Sequence, residues 1–214
     1  TGSYSPGTGI NGTVHDMAQV VNFSGVTYPP STDPENLDRI CIYCHAPHNT
    51  YRLNGQGSVG PEAPPEFTYL PLWNHELAAA PAYTMYENGI GAPQVGAKAS
   101  QAIVNNLMDQ PGGVSLLCLS CHDGSIAVNS YGNDDQRPGA HSTGSDLISN
   151  SYVIGADGSL GNHHPIGFDY EAVQADDAEI RPVGTSMTAS STIEDHLYNG
   201  KLECATCHSD HNKG

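Results

Sequence analysis

The chain has 214 residues and a formal net charge of −16 at pH 7, from 7 Lys+Arg against 23 Asp+Glu. That balance repels nucleic acid and anionic membrane surfaces, and no stretch approaches the roughly 18 apolar residues that span a bilayer. Hydrophobic residues make up 37% beside 24 Gly and 15 Pro, so a core built from protein alone is thin and another source of apolar mass is expected.

The start, Thr1-Gly2-Ser3-Tyr4, lacks the basic-then-apolar pattern of an export signal and reads as the beginning of a processed chain. Residues 1–30 read as an arm that carries His15 within Gly12-Thr13-Val14-His15-Asp16-Met17, where Asp16 or a backbone carbonyl would hold the second ring nitrogen. Asp33-Pro34 predicts an N-cap and first helical residue for a helix running to about His45. Residues 50–67 show no periodicity. A helix is predicted from about Lys98 to Met108 on its Ala, Gln, Leu and Met content. Gly112-Gly113 open a turn or two of helix that reaches His122 and closes at Gly124. A second irregular stretch covers 132–161, followed by His163-His164, where Pro165 restricts the backbone ahead of apolar Ile166 and Phe168. Ser191 and Glu194 read as a capping box for a helix through His196 that stops at Gly200, and a last short helix carries Cys204 to His208. Strands should be few or absent. No internal repeat or boundary divides residues 1–214, which read as one domain.

All six cysteines fall into three copies of one pentapeptide: Cys41-Ile42-Tyr43-Cys44-His45, Cys118-Leu119-Ser120-Cys121-His122 and Cys204-Ala205-Thr206-Cys207-His208. C-x-x-C-H is the attachment sequence of c-type haem. Two thiols a helical turn apart add to the two vinyl groups of one porphyrin, and the adjacent imidazole becomes the proximal iron ligand. A disulfide framework or zinc sites would use the same cysteines without requiring His after each second one. With His at 11 of 214 positions, three such coincidences have a chance on the order of 10⁻⁴. Three covalently bound haem c groups are therefore expected. Their propionates would take the net charge to roughly −22 and favour the ferric state, so low reduction potentials are expected.

Eight histidines remain beyond the proximal His45, His122 and His208: His15, His48, His75, His141, His163, His164, His196 and His211. Three irons need three distal ligands, so every haem can be six-coordinate, which favours electron transfer over catalysis at an open iron. His48 and His211 each lie three residues beyond a proximal histidine, too close to reach the far face of the same porphyrin. Each would ligate a different haem and draw two haems together. The distal candidates are His48, His164, His15 and His211, with His163 the weaker twin of His164. Ordinary non-ligand roles are expected for His75, His141 and His196.

The order His15-Asp16-Met17, Cys41 to His45 with Ala46-Pro47-His48-Asn49, Pro71-Leu72-Trp73-Asn74, Cys118 to His122 with Asp123-Gly124, Asn162-His163-His164-Pro165-Ile166 and Cys204 to His208 resembles multihaem cytochromes of metal-reducing bacteria and their relatives. Some members of that class polymerise into extracellular nanowires. The resemblance covers the chain from about His15 onward. It implies a loop-rich fold wrapped around stacked haems, with short helices at the attachment motifs. It further implies a homopolymer in which one iron ligand crosses the subunit interface, with His48 at the matching position and His15, on the 1–30 arm, as second choice. Redox partner cytochromes or extracellular acceptors would be its partners. Its expected location is secreted, extracellular or cell surface, with the periplasm as alternative. Two features depart from the best-described filaments: three haems rather than four or more, and Ser209-Asp210 ahead of His211 where Asp-Pro is usual. A monomeric shuttle is the competing expectation, and a multihaem reductase a more distant one.

Overall fold

The computed structural model describes residues 9–10, 13, 15–16, 22–23, 26–27, 40–48, 50–56, 60–77, 82–87, 99–128, 130–131, 147–148 and 152–211. Among them the chain is loop-rich, with four short helices and four two-residue strands. The helices are α1 (Gln101–Asn105), α2 (Gly113–His122), α3 (Tyr170–Asp176) and α4 (Cys204–Cys207). The strands form two antiparallel ribbons, β1 (Asn22–Phe23) with β2 (Val26–Thr27) and β3 (Phe168–Asp169) with β4 (Lys201–Leu202).

α2 is the central element. Val114, Ser115, Leu116, Leu117, Leu119 and Ser120 are all buried, so the helix is apolar on several sides, as a core helix must be. Its leucines join Ala63, Phe67, Trp73, Leu77, Tyr83, Leu160 and Ile166 in the larger core. Gly112 has no side chain to cap the first turn. The buried Glu203 does so from the far end of the chain, accepting from Gly112 N–H and Ser115 Oγ, which satisfies orphan donors and complements the helix dipole. At the other end Gly124 takes φ +76°, ending the helix where the sequence predicts.

A smaller core of Phe168, Tyr170 and Val173 packs with Ile103, Leu107, Val183, Ile193 and Leu202. Asp169 N-caps α3 by accepting from Ala172 N at 3.0 Å. Asn199 and Gly200 sit at φ +52° and +74°, the double positive φ of a tight hairpin turn. Tyr198 and Lys201 exchange both backbone hydrogen bonds across it at 3.0 Å.

Several predicted elements differ. The described part of the first attachment helix is a single 3-10 turn, Ile40–Tyr43, and 31–39 lie outside the described residues. The helix predicted over 98–108 is only Gln101–Asn105. It ends because Asn106 Nδ2 bonds back to Ala102 O at 2.8 Å and Met108 N turns to Gly167 O at 2.7 Å, pulling the chain into a bridge between Leu107 and Phe168. The capped helix from Ser191 is a 3-10 turn at Glu194–His196. Asp195 accepts from Thr192 N at 2.8 Å, and Ser191 Oγ meets His196 Nε2 at 2.9 Å instead of capping. Gly200 closes a hairpin rather than a helix.

Candidate metal centre

Each attachment motif is fixed by a different local device. At the first, residues 71–75 lie alongside 42–46. Ala46 N donates to Leu72 O at 3.1 Å, Asn74 N to Cys44 O at 2.7 Å and Asn74 Nδ2 to Ile42 O at 3.1 Å. Leu72 adopts φ +54°, a conformation that costs a non-glycine residue roughly 1–3 kcal/mol. The turn brings Pro71 O to within 2.6 Å of His45 Nδ1. The second motif occupies the last turns of α2, with His122 Nδ1 donating to Tyr152 O at 3.1 Å and Ile154 N donating to His122 O at 2.7 Å. The third is α4, capped reciprocally by Glu203 and Thr206.

Three imidazole pairs result. His45 faces His211, His122 faces His15 and His208 faces His164, each with ring centroids 6.2 Å apart. Two imidazoles bonded to one metal on opposite sides, each at about 2.0 Å, stand about 6 Å apart centre to centre. Every pair joins one proximal histidine of a C-x-x-C-H motif to one distal candidate. The ribbon explains one pair: Gly167 N donates to Leu202 O at 2.7 Å and β3 aligns with β4, so residues just before β3, including His164, lie beside those just after β4, where α4 leads to His208.

In four of the six rings Nδ1 is engaged, at His45 and His122 as above, at His164 by Pro165 O at 3.3 Å and at His211 by Asp210 Oδ1 at 3.0 Å. A neutral imidazole carries one N–H. Donating it from Nδ1 leaves Nε2 as the atom able to bind a metal, the arrangement that outer partners impose on ligating histidines. Burial and the neighbouring His122 lower the pKa of His15, keeping it neutral at physiological pH.

None of the six cysteines is in a disulfide. Burial raises Cys44, and raises Cys121 to about 12. Cys118 and Cys204 share a hydrogen bond that raises the first and lowers the second. The second and third motifs are thus in direct contact, held by Cys204 N donating to Ser115 Oγ at 3.0 Å and by Ser115 on Glu203. The first and second are joined through His75, which is 1% exposed, follows the strap on Cys44 and has Nε2 3.3 Å from Cys121 Sγ and 3.0 Å from Ala127 O.

The remaining candidates separate clearly. His48 is exposed and pairs with none of the three proximal rings. His163 accepts from Gly155 N at 3.3 Å, a loop-bracing role, while its twin His164 meets His208. His141 lies outside the described residues. Sequence reasoning missed the carbonyls of Pro71, Tyr152 and Pro165, for which no residue type carries a signal, and His75 as a link between motifs. An acid directly before His211 was the visible signal for Asp210.

Among the described residues no group of three or more His, Cys, Asp or Glu side chains converges as a metal site, and no helix is long and apolar enough to cross a membrane. Neither protein-family models nor curated proteins match the chain.

Proposed function

We propose that the chain is an electron-transfer protein that binds three c-type haems, each iron held by two histidines: His45 with His211, His122 with His15 and His208 with His164. The carrying observation is the common 6.2 Å spacing of three pairs that each contain one proximal histidine. The residues fit the group in a second respect. Leu72, Tyr152 and Ile154 are 57%, 54% and 42% exposed beside His45 and His122, where apolar side chains have reason to meet a porphyrin. Cys41/Cys44, Cys118/Cys121 and Cys204/Cys207 would attach the haems, which supply one-electron Fe(III)/Fe(II) chemistry when bound. The two histidines of each pair would hold the iron and leave no open position for an exogenous ligand.

Haem quantification should give three per chain, and the ferrous protein should keep a low-spin spectrum unchanged by carbon monoxide. Fewer haems, or a carbon monoxide shift in the unsubstituted protein, would falsify the assignment.

A filament reading is favoured by one observation: His48, beside the first motif, is exposed and among the described residues is paired with none of the three proximal rings. Since each iron has two candidate ligands within one chain, polymerisation needs no donated histidine, and His48 would act in a surface contact or replace an in-chain ligand. Electron microscopy of the exported, haem-loaded protein separates the cases. Filaments that weaken at low ionic strength, where carboxylate repulsion is unscreened, support a conductive homopolymer at the cell surface; small particles at every salt concentration support a diffusing shuttle.

A further inference from the structure

We propose that Asp210, whose carboxylate lies 3.0 Å from His211 Nδ1, makes the centre attached through Cys41 and Cys44 more ferric-favouring than a neutral partner at that nitrogen would. The inference rests on the three-haem reading above. Among the four engaged rings, three have a neutral backbone carbonyl at Nδ1: Pro71 for His45, Tyr152 for His122 and Pro165 for His164. Only His211 has a carboxylate there, Asp210 Oδ1 at 3.0 Å. An anionic acceptor draws the Nδ1 proton toward itself and leaves Nε2 a stronger donor, as in carboxylate–histidine–metal arrangements. A stronger axial donor stabilises Fe(III) over Fe(II) and makes the one-electron reduction less favourable.

Asp210 directly precedes His211, so the two side chains meet without help from distant packing. Both side chains are 63% exposed, so water screens the interaction and the effect belongs at the small end of what outer partners exert, about tenfold.

The test uses the haem-loaded full chain. In Asp210→Asn, one of three one-electron reductions should move positive by about tenfold in its ferric/ferrous equilibrium, or about 59 mV, with a smaller or no change in the other two. The ferric paramagnetic resonance signal that moves should be the one lost in His211→Ala, and Asp210→Glu should restore both readouts toward the original. Asp210 is exposed and its substitution leaves the cores intact. An equal shift of all three reductions, no shift, or movement of a signal that survives His211→Ala would overturn the role of Asp210 alone. Fewer than three low-spin haems in the unsubstituted protein would overturn the functional reading itself.

Discussion

The three imidazole pairs share a spacing but not an orientation. His45/His211 and His208/His164 are near parallel, at 17° and 21°, whereas His122/His15 is crossed at 65°. The His208/His164 pair lies wholly within the well-bonded stretch 152–211, and the His45/His211 pair takes His211 from it. The crossed pair takes its distal ring from His15, whose segment is held by short turns such as His15 N to Thr13 Oγ1 at 3.1 Å. Equal distances argue for one kind of centre used three times. With irons bound as proposed, the unequal angles would set the crossed centre apart from the two near-parallel ones, because ring orientation decides how each imidazole overlaps the metal orbitals.

The strongest way to break this comparison is to remove one distal ring at a time. His15→Ala, His164→Ala and His211→Ala should each convert one haem of three to a high-spin, carbon-monoxide-binding form, while His48→Ala and His163→Ala leave three low-spin haems. In paramagnetic resonance, His15→Ala should delete a signal distinct in shape from the two lost in the others; three similar signals would remove the distinction between crossed and parallel pairs. Next in size is Glu203→Ala. It leaves Gly112 N–H and Ser115 Oγ without their buried acceptor, and should lower unfolding stability by about 1–3 kcal/mol in denaturant titration. The α2–α4 junction joins a crossed centre to a parallel one, so both their signals should broaden while that of His45/His211 holds.

Leu72→Gly sharpens the comparison from the other side. Glycine accepts φ +54° without strain but loses more chain entropy, so denaturant titration of the haem-free chain should show a net gain of about 1 kcal/mol, whereas in the haem-loaded chain loss of the exposed Leu72 side chain beside His45 should offset that gain. The smallest effect concerns Asp169, whose carboxyl lies below its ordinary pKa of 3.8 because Lys201 Nζ donates to it at 2.7 Å and Ala172 N–H adds a second bond. A depressed acid stabilises the fold above its unfolded pKa, and the increment is lost as pH falls through the folded value. Asp169→Asn should cost about 0.5 kcal/mol near neutral pH, since the ion pair is partly exposed. The cost should vanish well below pH 3.8, and a cost unchanged by acid would exclude the ion pair as its source.

Much of the local structure was legible because its causes are local. Gly112-Gly113 and Gly124 bracket α2 as glycine signals predict, and Cys204–Cys207 is helical as expected at an attachment motif. The same logic failed where a distant segment competed. Asn106 and Met108 left their helix for Ala102 and Gly167, and Ser191 gave up its cap for His196. The Asn199-Gly200 turn carried a hairpin signal that a helix reading had absorbed.

The same division holds at the site. The three C-x-x-C-H motifs need only sequence, because thiol and imidazole spacing along one turn is a covalent matter. That His211 lies too near His208 to share its centre also follows from chain length. Sequence spacing treated His48 and His211 alike, and the fold separates them: the ring of His211 lies 6.2 Å from that of His45 while His48 is exposed. Only the tertiary structure could choose, since His164 and His208 meet through the β3–β4 ribbon, and His45 and His122 are oriented by the carbonyls of Pro71 and Tyr152, whose hydrogen bonds carry no residue-type signature.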